Sequence, residues 1–148
     1  MTGSLVYLLL AGSSLLLSTA TPAAAPATTA SVTVNVSALA STQATVKLYF
    51  YNRPEGFLKS GQYAFSRFVK PGGQRSVTVA VDLAPGDWAV ALSQDINNND
   101  KLDKNFLGIP TEPYAFSNNV RPTVAPPDFA DCKFTVEGPG KVVNIALK

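Results

Sequence analysis

Apolar residues in this chain recur at every second position, in short runs broken by Gly and Pro. Val32, Val34 and Val36 alternate with Ser31, Thr33 and Asn35. Val46, Leu48 and Phe50 alternate with Lys47, Tyr49 and Tyr51. Val77, Val79, Val81 and Leu83 lead into a Pro85-Gly86 turn, and Trp88, Val90 and Leu92 follow it. Phe134 and Val136 precede Gly138-Pro139-Gly140, after which come Val143, Ile145 and Leu147. A helix repeats every 3.6 residues and cannot present such a pattern on one face, whereas a half-buried strand does. No stretch sustains helical periodicity. About seven short strands in roughly 120 residues, each with one apolar face, predict an all-β fold. The expected architecture is an antiparallel β-sandwich, immunoglobulin-like or transthyretin-like, with one wet side to each sheet.

The front of the chain has a different character. Residues 5–17 read LVYLLLAGSSLLL, shorter than the ~20 residues a bilayer span needs. Small residues follow, Ser18-Thr19-Ala20 and Ala23-Ala24-Ala25, in the pattern of a leader-peptidase site. The reading is a signal peptide over residues 1–25, an Ala/Thr/Pro linker over 26–30 and the sandwich domain over 31–148. The opening MTGS carries no Lys or Arg, and an uncleaved apolar anchor or a buried helix is the rival reading. Export places the protein in the periplasm or outside the cell, with no transmembrane span after cleavage. Composition then narrows the chemistry. The chain has no His, which removes His-based triads and His-ligated zinc or haem. Its single Cys, Cys132, can form no internal disulfide and is expected to be a buried, inert thiol. The fold must therefore be held by its core or by an ion.

Two segments break the strand rhythm, residues 53–74 and 95–127. A loop as long as the second is uncommon in a compact domain unless it is functional. Its apolar residues Phe106, Leu107 and Ile109, with Tyr114 and Phe116, are expected to fold back over the sandwich edge. Charge is polarised: residues 31–75 carry a net +5 and residues 95–131 a net −3, within an overall +2 too small to indicate nucleic acid. Within the acidic half, Asp95, Asn97, Asn99 and Asp103 recur at the spacing by which a tight loop turns oxygens toward one point. A hard cation such as calcium takes six to eight oxygens, and Asn and Asp tolerate the left-handed backbone such a loop requires. The start matches an EF-hand loop, but Asp100 stands at the Gly position and Phe106 at the bidentate Glu position, so an EF-hand is excluded. The candidate calcium ligands are Asp95, Asn97, Asn99 and Asp103 through side chains and Lys101 through its carbonyl. The competing reading is an Asx-rich turn whose side chains bond their own backbone.

One long block resembles a known family. Pro85-Gly86-Asp-Trp88-Ala89-Val90 is followed by Asp95-x-Asn97-x-Asn99-x-x-x-Asp103-x-Asn105-Phe106-x-Gly108-Ile-Pro110-x-Glu112-Pro113-Tyr-x-Phe116-Ser117-Asn118-Asn119. This block, with Pro127-x-Phe129-x-Asp131-Cys-x-Phe134 after it, resembles the bacterial exported domain-of-unknown-function family 2141. The family usually has Gly where this chain has Asp100 and Ala115. The resemblance implies an exported β-sandwich similar to transthyretin-like or carboxypeptidase-regulatory-like modules, and no established reaction.

The remaining constellations are weaker. Phe57, Tyr63, Phe65 and Phe68 interleave with Lys59, Arg67 and Lys70, which suits an anionic glycan or lipid headgroup, or else aromatics that cover a sheet end. Carboxylate pairs such as Asp103 with Glu112, or Asp128 with Asp131, would serve glycoside cleavage only at a fixed separation. A candidate ligand surface comprises Glu112, Tyr114, Phe116, Asn118 and Asn119. The expected function is that of a monomeric, exported, non-enzymatic module, binding an unknown envelope or extracellular ligand or giving structural support, with a calcium-ordered loop. Its alternatives are a carbohydrate-binding or adhesion module, which predicts exposed Tyr63, Tyr114 or Phe116 in a flat platform, and a metal- or carboxylate-dependent hydrolase acting at the loop 95–119.

Overall fold

Among the described residues, eight strands form in the order β1 (Ala30–Ser37), β2 (Thr45–Tyr51), β3 (Phe65–Val69), β4 (Val77–Leu83), β5 (Gly86–Asp95), β6 (Tyr114–Phe116), β7 (Phe134–Val136) and β8 (Lys141–Ala146). A computed structural model describes residues 28–147. The signal peptide assigned to 1–25 and the first part of the linker lie outside the described residues, and β1 begins at Ala30, the last residue given to that linker. Short helical turns interrupt the strands at Pro54–Gly56, Ser117–Asn119 and α1 (Phe129–Cys132). No helix among the described residues is long and apolar enough to cross a membrane.

The strands make two sheets. One has the order β4-β1-β8, the other β3-β2-β5-β6 with β7 also on β5. Their inner faces meet in a core of Val32, Val34, Val36, Leu48, Phe50, Val79, Leu83, Val90, Leu92 and Ile145, among others. The period-two residues are these inner ones, and each fully buried aliphatic or aromatic side chain contributes about 1.5–3 kcal/mol. Phe65 of β3 stacks on Phe50 with ring centroids 4.5 Å apart, and Trp88 closes over Phe65 at 6.0 Å. The pairing is antiparallel throughout except between β1 and β8, which run parallel with Val34 opposite Val143. That pair departs from the expected all-antiparallel pairing. The chain can make it because the whole domain intervenes between the two strands, so the long crossover a parallel pair requires is present.

Strand β5 is buried along both faces from Ala89 to Asp95. Its inner residues enter the main core. Its outer ones, Ala89 and Ala91, lie beneath a second cluster of Tyr51, Phe57, Phe116, Phe129 and Cys132. Phe57 is the centre of this outer core, edge-on to Tyr51 at 5.2 Å and to Phe129 at 5.8 Å.

Along the far edge of β5, β6 and β7 occupy successive stretches, Ser93 to Ala91 and Trp88 to Gly86. The gap between them is filled by Ser117, whose buried hydroxyl accepts the Val90 N–H at 2.9 Å and donates to the Cys132 carbonyl at 2.5 Å. Ser117→Ala leaves both backbone groups without that partner. It is expected to lower the unfolding free energy by about 1–3 kcal/mol, with an unchanged denaturant slope in urea unfolding.

Candidate functional site

Strand alternation places Lys47, Tyr49 and Tyr51 of β2 on the outer face of the larger sheet. Lys47 lies opposite Ser93 and Thr45 opposite Asp95, so Lys47 and Asp95 are diagonal neighbours on that face. The Lys47 ammonium reaches the Asp95 carboxylate at 2.7 Å and Asp100 at 3.2 Å; the Lys47 and Asp95 side chains are almost wholly covered, while Asp100 is exposed. Asp95 ends β5 and begins the Asx-rich loop. One of its oxygens also accepts the Asp100 N–H at 2.9 Å, and the other accepts the Asn99 N–H at 3.1 Å.

The rest of the loop closes on itself. Asn97 Oδ1 accepts the Asn99 N–H at 3.2 Å, and Asn99 Oδ1 accepts the Lys101 N–H at 2.9 Å. The two amide nitrogens then donate to Asp103, from Asn97 at 2.6 Å and from Asn99 at 2.9 and 3.0 Å. Glu112, buried, binds the loop from outside it, accepting the Ile96 N–H at 2.9 Å and the Asp103 N–H at 3.3 Å. Asn98 and Asp100 adopt left-handed φ values of 53° and 63°, conformations that Asn and Asp bear at low cost. Asp100 thus takes a left-handed backbone shape that a Gly would bear freely.

Asp95, Asn97, Asn99 and Asp103 are thus brought to one loop, with Lys101 taking part through its N–H. Among the described residues no group of three or more His, Cys, Asp or Glu is arranged to hold a metal ion. A calcium ion would need the Asn97 and Asn99 amides reversed and its charge placed beside that of Lys47. The donors as they stand are shared between backbone N–H groups, amides and one ammonium.

The candidate ligand surface divides. Glu112 and Phe116 are buried and Tyr114 is half-buried. Asn118 and Asn119, at φ 60° and 53°, stitch elements together. Asn118 donates to the carbonyls of Asp131 and Lys133, and Asn119 bonds Asn144 and Ala146 of β8, joining the two sheets. The aromatic set between 57 and 68 also divides, with Phe57 and Phe65 packed inward. Tyr63 and Phe68 stay exposed, ringing Tyr49 with centroids at 5.1 and 6.0 Å. Lys47 lies 5.7 Å over the Phe68 ring. These rings are tilted by 52° and 70°, an interlocked strip rather than a flat platform. Sequence reasoning missed Lys47 and Tyr49, because a lysine alternating with apolar residues reads as the wet face of a strand and nothing local shows that this face is covered.

Tyr114 and Phe116 fold back onto β5 and the outer core as expected, but the run Phe106 to Ile109 does not cover the sandwich edge. A narrow turn, pinned by the Lys104–Pro110 bridge and by Asn105 accepting the Leu107 and Ile109 N–H groups at 3.0 Å, holds it outward. Its own hydrogen bonds replace the packing that was expected of it. Cys132 is buried in the outer core, where desolvation first and the Asp131 charge second push its thiol up to about 12.

Asp95 is held below its ordinary 3.8, chiefly by the hydrogen bond from Lys47, against burial and with help from the Asp100 and Asn99 N–H groups. For Lys47, burial is the largest influence and acts downward, but the hydrogen bonds and charges of Asp95 and Asp100 outweigh it and raise the ammonium above 10.5. The depressed Asp95 contributes stability that is complete above its unfolded value and is lost as pH falls through the folded one. The raised Lys47 contributes stability that is complete below its unfolded value and is lost as pH rises through the folded one. Stability is therefore expected to be flat between about pH 5 and 9 and to fall on both sides. The pair is covered but lies at the end of the domain, close to water. Lys47→Met is accordingly expected to cost about 1–3 kcal/mol in urea unfolding and to flatten the acid limb, less than the ~3–5 kcal/mol of a deeply buried pair.

Residues 34–144 match the profile of a family described as "Uncharacterized protein conserved in bacteria (DUF2141)". No curated protein matches the chain. Among solved structures, the tip fimbrial protein Mfa3 of Porphyromonas gingivalis, with a C-terminal truncation, is similar at 12% identity and a TM-score of 0.45, over 82% of this chain. The match spans about half of that protein, 48% of its chain.

Proposed function

Because the chain belongs to this uncharacterized bacterial family, DUF2141, we propose that it is an exported, non-catalytic module of the cell envelope that binds a carbohydrate-bearing ligand. One observation carries this reading. The groups that would do chemistry are spent on structure, while an aromatic strip faces outward. Asp95, Asp103 and Glu112 each accept backbone or amide hydrogens, and the Ser117 hydroxyl fills the ladder gap. Phe68 is 57% exposed and Tyr63 36% exposed beside Tyr49. The flat platform of Tyr63, Tyr114 and Phe116 is not formed, and the reading rests instead on Tyr63 and Phe68, whose faces, held by Tyr49, lose little entropy when each stacks on a sugar ring. The leader-like residues 5–17 agree with an envelope location. Binding to insoluble peptidoglycan is the test. Retention of the wild type, weakened about tenfold by Phe68→Ala with Tyr63→Ala at about 0.5–1 kcal/mol per ring, supports the reading. Retention that ignores the substitutions, or none across a panel of envelope glycans, contradicts it.

Calcium binding at the Asx-rich loop is the second reading, favoured by the gathering of Asp95, Asn97, Asn99 and Asp103 in one loop, where turning over the two amides would aim their oxygens inward. It predicts a melting temperature raised several degrees by calcium over chelator, and unmoved in Asp95→Ala with Asp103→Ala. A wild-type midpoint that ignores both additions removes it.

A further inference from the structure

Resting on the glycan reading and going one step into it, we infer that the cleft beside Tyr63 seats one uncharged, hydroxyl-bearing sugar unit of a glycan chain whose other units lie along the aromatic strip. The cleft measures about 440 Å³, within the ~300–1,000 Å³ of small-ligand sites. Arg53, Glu55, Gln62 and Tyr63 line it, with Gly56 and Gly61 between them. The turn that forms it is closely bonded. The Phe57 N–H bonds the Pro54 carbonyl at 3.2 Å, the Lys59 N–H that of Gly56 at 3.0 Å, and the Gln62 N–H that of Lys59 at 3.2 Å. Gly56 is buried and lets the chain return against itself, since a Cβ there would meet the Gln62 carbonyl oxygen at 2.7 Å. Phe57, the next residue, is anchored in the outer core. The cleft is therefore shaped before any ligand arrives, which spares the cost of ordering it on binding.

Strip and cleft form one track. Phe68 stands opposite Lys47, and Tyr49 is the next outward residue along β2. Tyr63 lies beside both Tyr49 and Tyr51, with ring centroids at 5.1 and 6.5 Å. β2 ends at Tyr51, and Arg53 comes two residues later. Phe68, Tyr63 and the cleft thus follow one another along β2, which suits an extended polymer better than a single compact molecule. The cleft wall selects the chemistry. Arg53 offers only donors, Glu55 only acceptors and Gln62 both. Arg53 and Glu55 are exposed and join no ion pair among the described residues. A phosphate or carboxylate held by Arg53 would share the cleft with the Glu55 carboxylate, and an ammonium held by Glu55 would share it with the Arg53 guanidinium. Sugar hydroxyls donate and accept at once and satisfy both walls, while the apolar face of the ring lies on Tyr63.

The test is calorimetric titration of the full chain with uncharged cello-oligosaccharides and chito-oligosaccharides of increasing length, and with oligogalacturonates as their anionic counterpart. Affinity is expected to rise with length, and galacturonates to bind about fivefold more weakly than uncharged chains of the same length. Glu55→Ala and Arg53→Ala should each weaken binding of the longer uncharged chains about fivefold and abolish the gain from the unit that enters the cleft. Their melting temperatures should match the wild type, because neither side chain holds an ion pair of the fold. Binding that falls in Phe68→Ala but ignores both cleft substitutions overturns the inference and leaves the glycan reading standing. So does a preference for galacturonates, or retention on peptidoglycan without binding to any uncharged oligosaccharide. Absence of both retention and oligosaccharide binding removes the inference together with the reading beneath it.

Discussion

The ion pair between Lys47 and Asp95 is the interaction on which the polar end of this molecule depends. It spans two central strands, shields two charges from water, and sits where a strand becomes a loop. Asp95 does three things at once: it neutralises Lys47, caps two successive backbone N–H groups, and thereby sets the first turn of the Asx-rich loop. Glu112 fixes the other side of that loop in the same manner, with two backbone N–H groups on one buried carboxylate. A loop of this length would ordinarily be loose, because closing it costs entropy and its backbone must find partners. Here its side chains supply those partners.

The same economy of short-range bonding runs along the far edge of β5. A ladder interrupted between β6 and β7 would leave Val90 exposed to a gap, and Ser117 occupies it. Asn118 and Asn119 accept the left-handed backbone needed to leave β6 and direct their amides to α1, to Lys133 at its end, and to β8. The outer core around Phe57 then covers Ala89 and Ala91, whose small size leaves room for the rings. Tight anchoring beneath is what permits exposed features above, the aromatic strip around Tyr49 and the apolar tip at Phe106. Each holds its shape without burying its side chains.

Most of the fold was legible in the chain because β-branched alternation is a local property. Val32 to Val36 and Val77 to Leu83 show it plainly, and they pair with each other. What was not legible depends on distant partners. Strand β3 hides in the segment 53–74 because Phe65 and Phe68 are both aromatic and blur the alternation, and β6 is only three residues long. The parallel pairing of β1 with β8 leaves no mark in either strand. In the site, the spacing of Asp95, Asn97, Asn99 and Asp103 announced a self-bonded or ion-bearing loop, but not the lysine from β2 that enters it. The apolar residues at 106–109 were expected to seek cover, since nothing local says that Asn105 can hold them in the open.

Lys47, through Asp95, holds the first turn of the Asx-rich loop. Amide hydrogen exchange of Asn99 and Asp100, read by NMR in the presence of a chelator, tests it most directly. Their N–H groups are predicted to be protected in the wild type and to exchange freely in Lys47→Met, with the strands β1 and β4 unaffected. Amides that are unprotected in chelated wild type and gain protection only when calcium is added would contradict the account and make the loop an ion site.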